Sequence, residues 1–396
     1  MSATSENIRT EHMLLNFGPS HPATHGTLHL KMELDGETVV KIDPVIGYLH
    51  RGAEKLAENM TYHQWITISD RMNYVSSPMN NVGYCLAVEK LIGIEAPPRA
   101  QYLRVILSEL SRLSDHLVCV GICGVDLGAF TPFLYAFQQR ELIYDIFELA
   151  CGGRLTTTLT RVGGVMKDVD EKFFDATKAI CASVIPVINE FEALLTRNRI
   201  WIDRCRGVSA ISAEEAINFG FTGPCLRAAG VDWDLRKNDP YLVYPELDFD
   251  IPIGENGDVY DRYLVRIEEM RQSVRIIQQA MARIPGGDVL LDNHRVTIPS
   301  KDEIYNTMEG LISDFKLVMH GIPAPAGEIY SATEAANGEL GFYIVSNNGR
   351  HPYRLHVRPP CFIIFQALGR LCKGHLIADV IAVLGSLNII AGELDR

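Results

Sequence analysis

The sequence predicts an α+β fold: a core bundle of long helices, a small β-sheet near the N-terminus and a short β region near the C-terminus. Three observations carry that prediction. Apolar and polar side chains alternate strictly along Thr27-Leu28-His29-Leu30-Lys31-Met32-Glu33-Leu34, pause at Asp35-Gly36, and a second run follows at Thr38-Val39-Val40-Lys41-Ile42, the pattern of a β-hairpin. From Pro97-Pro98 onward, Tyr102, Val105, Ile106, Leu110, Leu113, Leu117 and Val120 recur at three- and four-residue steps, which sets them on one face of a long helix. Gly338 to Val357 returns to a β-like pattern after a loop containing Pro323 and Pro325.

In chain order, residues 1–50 form an N-terminal arm and the hairpin sheet. The polar stretch Met1 to His12 carries Glu6 and Glu11, unlike a secretory signal or an Arg-rich transit peptide, and reads as a flexible arm. His21-Pro22-Ala23-Thr24-His25-Gly26 reads as a loop, because Pro22 removes a backbone donor and Gly26 loosens the turn. A helical core covers 51–200, opening at Arg51-Gly52-Ala53 and including patterns over Phe133 to Cys151 and Glu171 to Arg197. Gly223-Pro224, Asp239-Pro240, Tyr244-Pro245 and Ile251-Pro252 mark 201–258 as a loop-rich insertion. The helical core continues over 259–320, with patterns at Tyr260 to Arg283 and Lys301 to Met319. Residues 321–396 hold the β stretch and helical patterns around Phe365 to Leu371 and His375 to Leu384.

At 396 residues, 47% hydrophobic and 22% charged, the chain can build two or three subdomains around sizeable cores, and disordered or collagen-like classes are excluded. The most apolar runs, Leu117 to Cys123 and Cys361 to Phe365, fall far short of the roughly 18 to 20 residues of a membrane span, so no transmembrane segment is expected. Nine scattered cysteines with no Cys-x-x-Cys fit a reduced, intracellular compartment. A formal charge of −12 argues against nucleic acid as a partner, since phosphate backbones demand a basic face.

The chemistry-bearing candidates start with His21 and His25, four residues apart where a helix is forbidden. A metal pair, a structural loop, or a proton-handling or ligand-binding pair all remain open. The absence of a nearby carboxylate at ligand spacing, or of a Cys pair, counts against the metal even with His29 close by. Cys119 and Cys123, at i and i+4 of the long helix, read as core filling. Arg354, His356 and Arg358 share one strand face, the pattern of a solvated or partner-facing edge more than of an anion site. No Gly-rich nucleotide cradle is present. Asp70-Arg71-Met72-Asn73-Tyr74, beside Ser76-Ser77-Pro78-Met79-Asn80-Asn81, concentrates polar groups at a helix junction, where pockets often form.

The run Asn16-Phe17-Gly18-Pro19-Ser20-His21-Pro22-Ala23-Thr24-His25-Gly26 is followed by Gly47-Tyr48-Leu49-His50-Arg51-Gly52-Ala53-Glu54-Lys55 and Pro97-Pro98-Arg99-Ala100-Gln101. Asp126-Leu127-Gly128-Ala129-Phe130-Thr131-Pro132, Phe221-Thr222-Gly223-Pro224 and Tyr260-Asp261-Arg262-Tyr263-Leu264-Val265-Arg266 come next, then Lys373-Gly374-His375 and Gly392-Glu393-Leu394-Asp395-Arg396. In these segments, which span nearly the whole chain, the sequence resembles the D-type, quinone-site subunit family of the NADH:quinone oxidoreductases, respiratory complex I. That family is related to the large subunits of nickel-iron hydrogenases.

The resemblance implies a hydrogenase-type scaffold emptied of its metal, since both Cys-x-x-Cys pairs that hold nickel and iron are missing here. It implies a quinone-binding subunit of a proton-pumping, electron-transporting respiratory enzyme, working only within the complex and binding no cofactor by itself. Quinone is the substrate, its type left open, and a partner subunit holds the 4Fe-4S cluster that reduces it. NAD binding belongs to other subunits. The implied partners are the iron-sulfur B-type subunit, the C-type subunit and the remaining complex I subunits including the membrane arm, with the chain peripheral on the cytoplasmic face of the bacterial inner membrane. Residue by residue, His25 and Tyr74 match the quinone-binding and catalytic pair, Asp126 the carboxylate partner of that histidine, and Arg51 and Arg71 the arginines near the partner's cluster. His21 falls to a structural or supporting role behind His25. The chain departs from many relatives after Gly153-Arg154-Leu155, where Thr156-Thr157-Thr158 replaces a histidine near the cluster. Asn388-Ile389-Ile390-Ala391 departs too, from the commoner Phe-Gly before the final Glu. A hydrogenase-type metalloenzyme and a non-catalytic scaffold subunit are the rival readings.

Overall fold

The computed structural model describes residues 12–24 and 26–396, so the predicted arm up to Glu11, and His25, lie outside the described residues. Strands β1 (Met13–Phe17), β2 (His29–Asp35) and β3 (Thr38–Val45) form an antiparallel sheet in the order β1-β2-β3. The alternation resolves as expected: Leu30, Met32 and Leu34 of β2 and Val39 and Ile42 of β3 are buried, while the polar residues between them face outward. The hairpin turns at Gly36, whose φ of 61° lies in the left-handed region that glycine adopts without a Cβ penalty. Between β1 and β2, the expected open loop instead contains one 3₁₀ turn, Pro22–Thr24. Proline is tolerated at the first position of such a turn, and the His21 carbonyl closes it by accepting from Thr24 N at 3.1 Å and Thr24 Oγ1 at 2.9 Å.

The helical region begins with α1 (Ala53–Ala57), α2 (Tyr62–Ser69) and α3 (Ser77–Ile92), then α4 (Pro98–Asp126) and α5 (Phe130–Cys151). The periodic residues of α4 are buried along one of the longest helices of the bundle, and Pro98 opens it where a missing N–H costs nothing. After a small hairpin, β4 (Thr160–Arg161) and β5 (Gly164–Val165), comes α6 (Glu171–Phe191), extended by a π-helical turn, Glu192–Thr196. Taken together, Glu171–Thr196 is long and apolar enough by length and composition to cross a membrane, a feature that uninterrupted runs do not reveal. Isolated polar residues break the run yet leave its average hydropathy high. In the fold, Phe173, Ile180, Val184, Ile188 and Phe191 bury this helix against α5 and against α11 (Val259–Arg283), which follows below.

The predicted insertion carries four short helices, α7 (Arg199–Cys205), α8 (Ala213–Asn218), α9 (Gly223–Ala228) and α10 (Leu235–Asn238), and leads into α11. Arg227, Asp234 and Arg236 in it are fully buried, so this segment threads into the core. The single helix expected over 301–319 is two, α12 (Lys301–Asn306) and α13 (Met308–His320). Thr307 separates them: its extended backbone ends α12, and its Oγ1 caps α13 by accepting from Gly310 N at 3.0 Å.

The C-terminal β region is longer than predicted, with β6 (Gly327–Ala335), β7 (Gly338–Ser346) and β8 (Arg354–Arg358) in one antiparallel sheet. This sheet packs on α2 and α3 around Trp65, Tyr84 and Phe342, a second core beside that of α4, α5, α6 and α11. On the exposed face of β8, Arg354 and His356 pair with Glu54 of α1, and Arg358 pairs with Glu339. The predicted helix over 365–371 is replaced by α14 (Pro360–Phe365) and α15 (Leu368–Cys372), followed by α16 (Ile377–Leu387) and α17 (Ala391–Asp395).

Candidate functional site

The polar junction between α2 and α3 is built around Asn73. Its Oδ1 accepts from Val75 N at 3.2 Å and Ser76 N at 3.3 Å, a side chain mimicking a backbone turn, while its Nδ2 donates to Asp115 of α4 at 3.3 Å. Asn80 Nδ2 fixes the Asn73 carbonyl at 2.9 Å. With Asp70, Met72 and Asn73 buried, Arg71 and Tyr74 face out, Tyr74 being 37% exposed. From the other side α17 closes in at Gly392, where a Cβ would lie 2.6 Å from the Met72 carbonyl oxygen. Only a glycine lets that helix approach so near.

Tyr74 opens onto a cavity of 330 Å³ between α4, α5, α16 and the 388–391 segment. Val75, Val118, Ile122, Phe137, Ile389 and Ile390 give it apolar walls, with Thr27, Cys119, Arg140 and Asn388 as the polar points. Burial pushes the Tyr74 phenol up, Cys361 adds to that, and the positive charge of Arg140 works against both. The Thr27 Oγ1 and Arg140 Nε are buried with no hydrogen-bond partner among the described residues. Such a cavity can desolvate an apolar ring while offering hydrogen bonds to its oxygens.

Asp126 sits at the C-terminal end of α4, one turn beyond Ile122, and is not among the residues lining this cavity. Its Oδ2 lies beside α16, 3.5 Å from where a Cβ on Gly385 would be, and has no partner among the described residues. Burial raises its carboxyl to about 6. The structure therefore groups Tyr74 with Thr27 and keeps Asp126 on the same helix as the cavity wall but farther along. His25 lies outside the described residues. His21 is occupied locally, its Nδ1 accepting from Ala23 N at 3.2 Å and its ring centroid 4.3 Å from that of Phe17.

On another side of the junction, Arg51 and Arg71 do come together. Arg51 Nη2 donates to the Arg71 carbonyl at 2.7 Å, and Arg71 Nη1 pairs with Asp70 Oδ1 at 3.2 Å. Burial, followed by the neighbouring Arg71 charge, lowers the Arg51 guanidinium, and burial raises the Asp70 carboxyl to about 6 despite Arg71. Thr156-Thr157-Thr158 runs close by: Asn81, which accepts from Ser69 at the end of α2, donates to the Thr157 carbonyl, and Arg161 donates to that of Thr158. Among the described residues no group of three or more His, Cys, Asp or Glu is arranged to hold a metal ion. Cys119 and Cys123 are both buried, with Cys119 also reaching the cavity wall.

Sequence reasoning missed Thr27, Arg140 and Asn388 at the cavity. Arg140 had a faint signal as a cation in an aromatic stretch of α5, but its direction depends on packing. It also missed a dry ionic network behind the site. His116 Nε2 and Glu269 are 2.7 Å apart, Arg227 bridges Glu269 and Glu334, and Arg236 joins Asp234 to Glu109, which also holds Arg112. All of these side chains are almost completely buried.

The profile of the family described as "Respiratory-chain NADH dehydrogenase, 49 Kd subunit" matches residues 126–396. The chain is 53% identical over 395 residues to the D-type NADH-quinone oxidoreductase subunit of Myxococcus xanthus, covering 100% of this chain and 95% of that protein. It is 54% identical over 384 residues to the corresponding D-type protein of Leptospira biflexa, covering 97% and 95%. A protein of Bdellovibrio bacteriovorus whose name joins the C and D types of NADH-quinone oxidoreductase subunit is 52% identical over 389 residues, covering 98% of this chain and 70% of that protein.

Proposed function

This chain belongs to the family of the respiratory-chain NADH dehydrogenase 49 Kd subunit and is a component of an NADH:quinone oxidoreductase, and we propose that it forms the quinone-reducing chamber of that enzyme. The observation that carries the proposal is the Tyr74 cavity, an apolar box of 330 Å³ with a phenol at its mouth and under-satisfied polar groups in its wall. Reduction of a quinone to its quinol takes two electrons and two protons, and each carbonyl oxygen gains negative charge before it is protonated. Tyr74, a phenol held above its ordinary range mainly by burial, remains protonated in the resting site and donates to one oxygen. His25 donates to the other, and Asp126, whose carboxylate lacks a partner among the described residues, favours the protonated imidazole.

The electrons come from a 4Fe-4S cluster in the iron-sulfur B-type partner. That partner docks beside Arg51 and Arg71, whose adjacent positive charges favour the reduced cluster. The C-type partner lies alongside, a neighbour supported by the relative whose name joins the C and D types. The chain is peripheral on the cytoplasmic face of the membrane, and its scaffold is that of a hydrogenase large subunit without the metal. With Thr156 in place of histidine, the cluster potential depends only weakly on pH. Thr156→His steepens that dependence in a redox titration of the assembled complex; an already steep slope in the native protein overturns this reading.

The chamber itself is tested with Tyr74→Phe and His25→Ala in the assembled complex. Each lowers quinone reduction by about 10² to 10³-fold while electron transfer from NADH to an acceptor upstream of quinone is kept. Full quinone reduction in both variants would falsify the proposed chamber.

A further inference from the structure

Arg140 is the one guanidinium on the wall of the Tyr74 cavity, and the fold leaves it without a counter-ion among the described residues. The acidic residues of its own helix, Glu141, Asp145 and Glu148, are all drawn to Arg154 instead. Aromatic rings hold it in place: its Cζ lies 4.9 Å from the centroid of Phe137 and 4.7 Å from that of Tyr144. Ring faces attract a cation without neutralising it. Net positive charge is thus aimed into a cavity whose walls are otherwise largely apolar, where a charge acts more strongly than in water.

We propose that Arg140 is a positioning residue for quinone reduction, placing a fixed positive charge beside Tyr74 that stabilises the phenolate formed when Tyr74 gives its proton to the reduced quinone. This rests on the quinone chamber proposed above. In the step, the O–H bond of Tyr74 breaks and a new O–H bond forms on the quinone oxygen, which has received its electrons from the partner's cluster. Negative charge passes to the Tyr74 oxygen, next to Arg140, until a proton from water in the open cavity restores the phenol. Around Tyr74, Cys361 acts in the opposite sense to Arg140; Asp70, Arg71, Asp115, Cys119, Glu393 and Asp395 lie on the elements packed there, Asp126 lies farther along α4, and on α5 the Tyr144 phenol engages Arg140 itself.

Arg140→Met, Arg140→Lys and Tyr74→Phe in the full complex, with rates normalised to the upstream-acceptor activity, test this. Arg140→Met lowers kcat for quinone by about 10- to 100-fold and moves the alkaline limb of the kcat profile to higher pH, because Tyr74 becomes a weaker acid. Arg140→Lys, which keeps the charge and the aromatic seat, stays within about threefold of the native rate and keeps the native limb. A role in packing alone would lower the amount of assembled complex in the methionine variant and leave the limb unmoved, and that result overturns the proposal. If Tyr74→Phe slows the reaction while Arg140→Met leaves both rate and limb unchanged, Arg140 is excluded and the chamber stands. If Tyr74→Phe also changes nothing, the chamber itself fails.

Discussion

Two regions of this molecule bury carboxylates and treat them in opposite ways. In the ionic network every carboxylate oxygen of Glu109, Glu269, Asp234 and Glu334 has a partner, most of them guanidinium groups. Burial alone would raise Glu269, but Arg227 and His116 hold it well below the usual carboxylate range, and Arg112 and Arg236 likewise lower Glu109. Away from that network, Asp70 on the Arg51–Arg71 side of the junction and Asp126 beyond the cavity on α4 each keep an oxygen with no partner among the described residues, and burial raises both to about 6. Glu393, on α17 beside the cavity wall, is buried against neutral groups, the Cys361 thiol and backbone N–H and the Asn337 amide, with no cation paired to it among the described residues, and burial raises it to about 7. A saturated network fixes the fold. An unsaturated one stores polar capacity that a ligand or a proton can use.

Glu269→Gln breaks the contrast most severely, since it leaves Arg227 and His116 buried beside a neutral amide. It lowers stability by about 3 to 5 kcal/mol, read from urea or thermal unfolding of the isolated chain or, failing that, from its yield in the complex. Because Glu269 is held low, this loss is full above the unfolded carboxylate value of about 4.5 and shrinks as pH falls below it. A variant as stable as the native chain at pH 7 would mean that the network is dispensable. Tyr74→Phe sharpens the same contrast from the other side: the rate falls by about 10² to 10³-fold while unfolding moves by less than about 1 kcal/mol. A large stability loss there would make the cavity wall part of the structural core.

Glu393→Gln has the smallest effect and the opposite sign. Between about pH 4.5 and 7 the folded state binds more protons at this group than the unfolded chain, so its contribution to stability falls as pH rises through that window. Removing the titration stabilises the protein by about 1 to 3 kcal/mol at pH 8 and leaves it unchanged near pH 4. Equal unfolding midpoints for variant and native chain at pH 8 would show that Glu393 is ionised at no cost and that the two regions are alike.

Much of the scaffold was legible in the sequence because it follows local periodicity. The alternation of residues 27–42 marked both strands of the hairpin and their buried residues, and the three- and four-residue spacing after Pro98 marked α4, although that helix is buried on nearly every side and not on one face alone. Of the residues the motifs singled out, Tyr74 lines a cavity and Arg51 bonds to the Arg71 backbone. Thr307 was missed because a capping hydroxyl looks like any surface threonine until the helix on each side is formed. β6 was missed because much of its edge is set by register with β7. The apolar average of Glu171–Thr196 was not legible from unbroken runs, because an average over a window carries more than a run does.

By itself the sequence determined the α+β class, the major helices and the family. All of these depend on residue type and spacing along the chain. Only the tertiary structure decided that Arg140, on one helix, and Thr27 and Asn388, far away in sequence, share a wall with Tyr74, and that Glu393 lacks, among the described residues, the cation Glu269 has. Whether a buried charge is paired depends on which side chains long-range packing brings within about 3 Å, and one-dimensional spacing does not encode that distance.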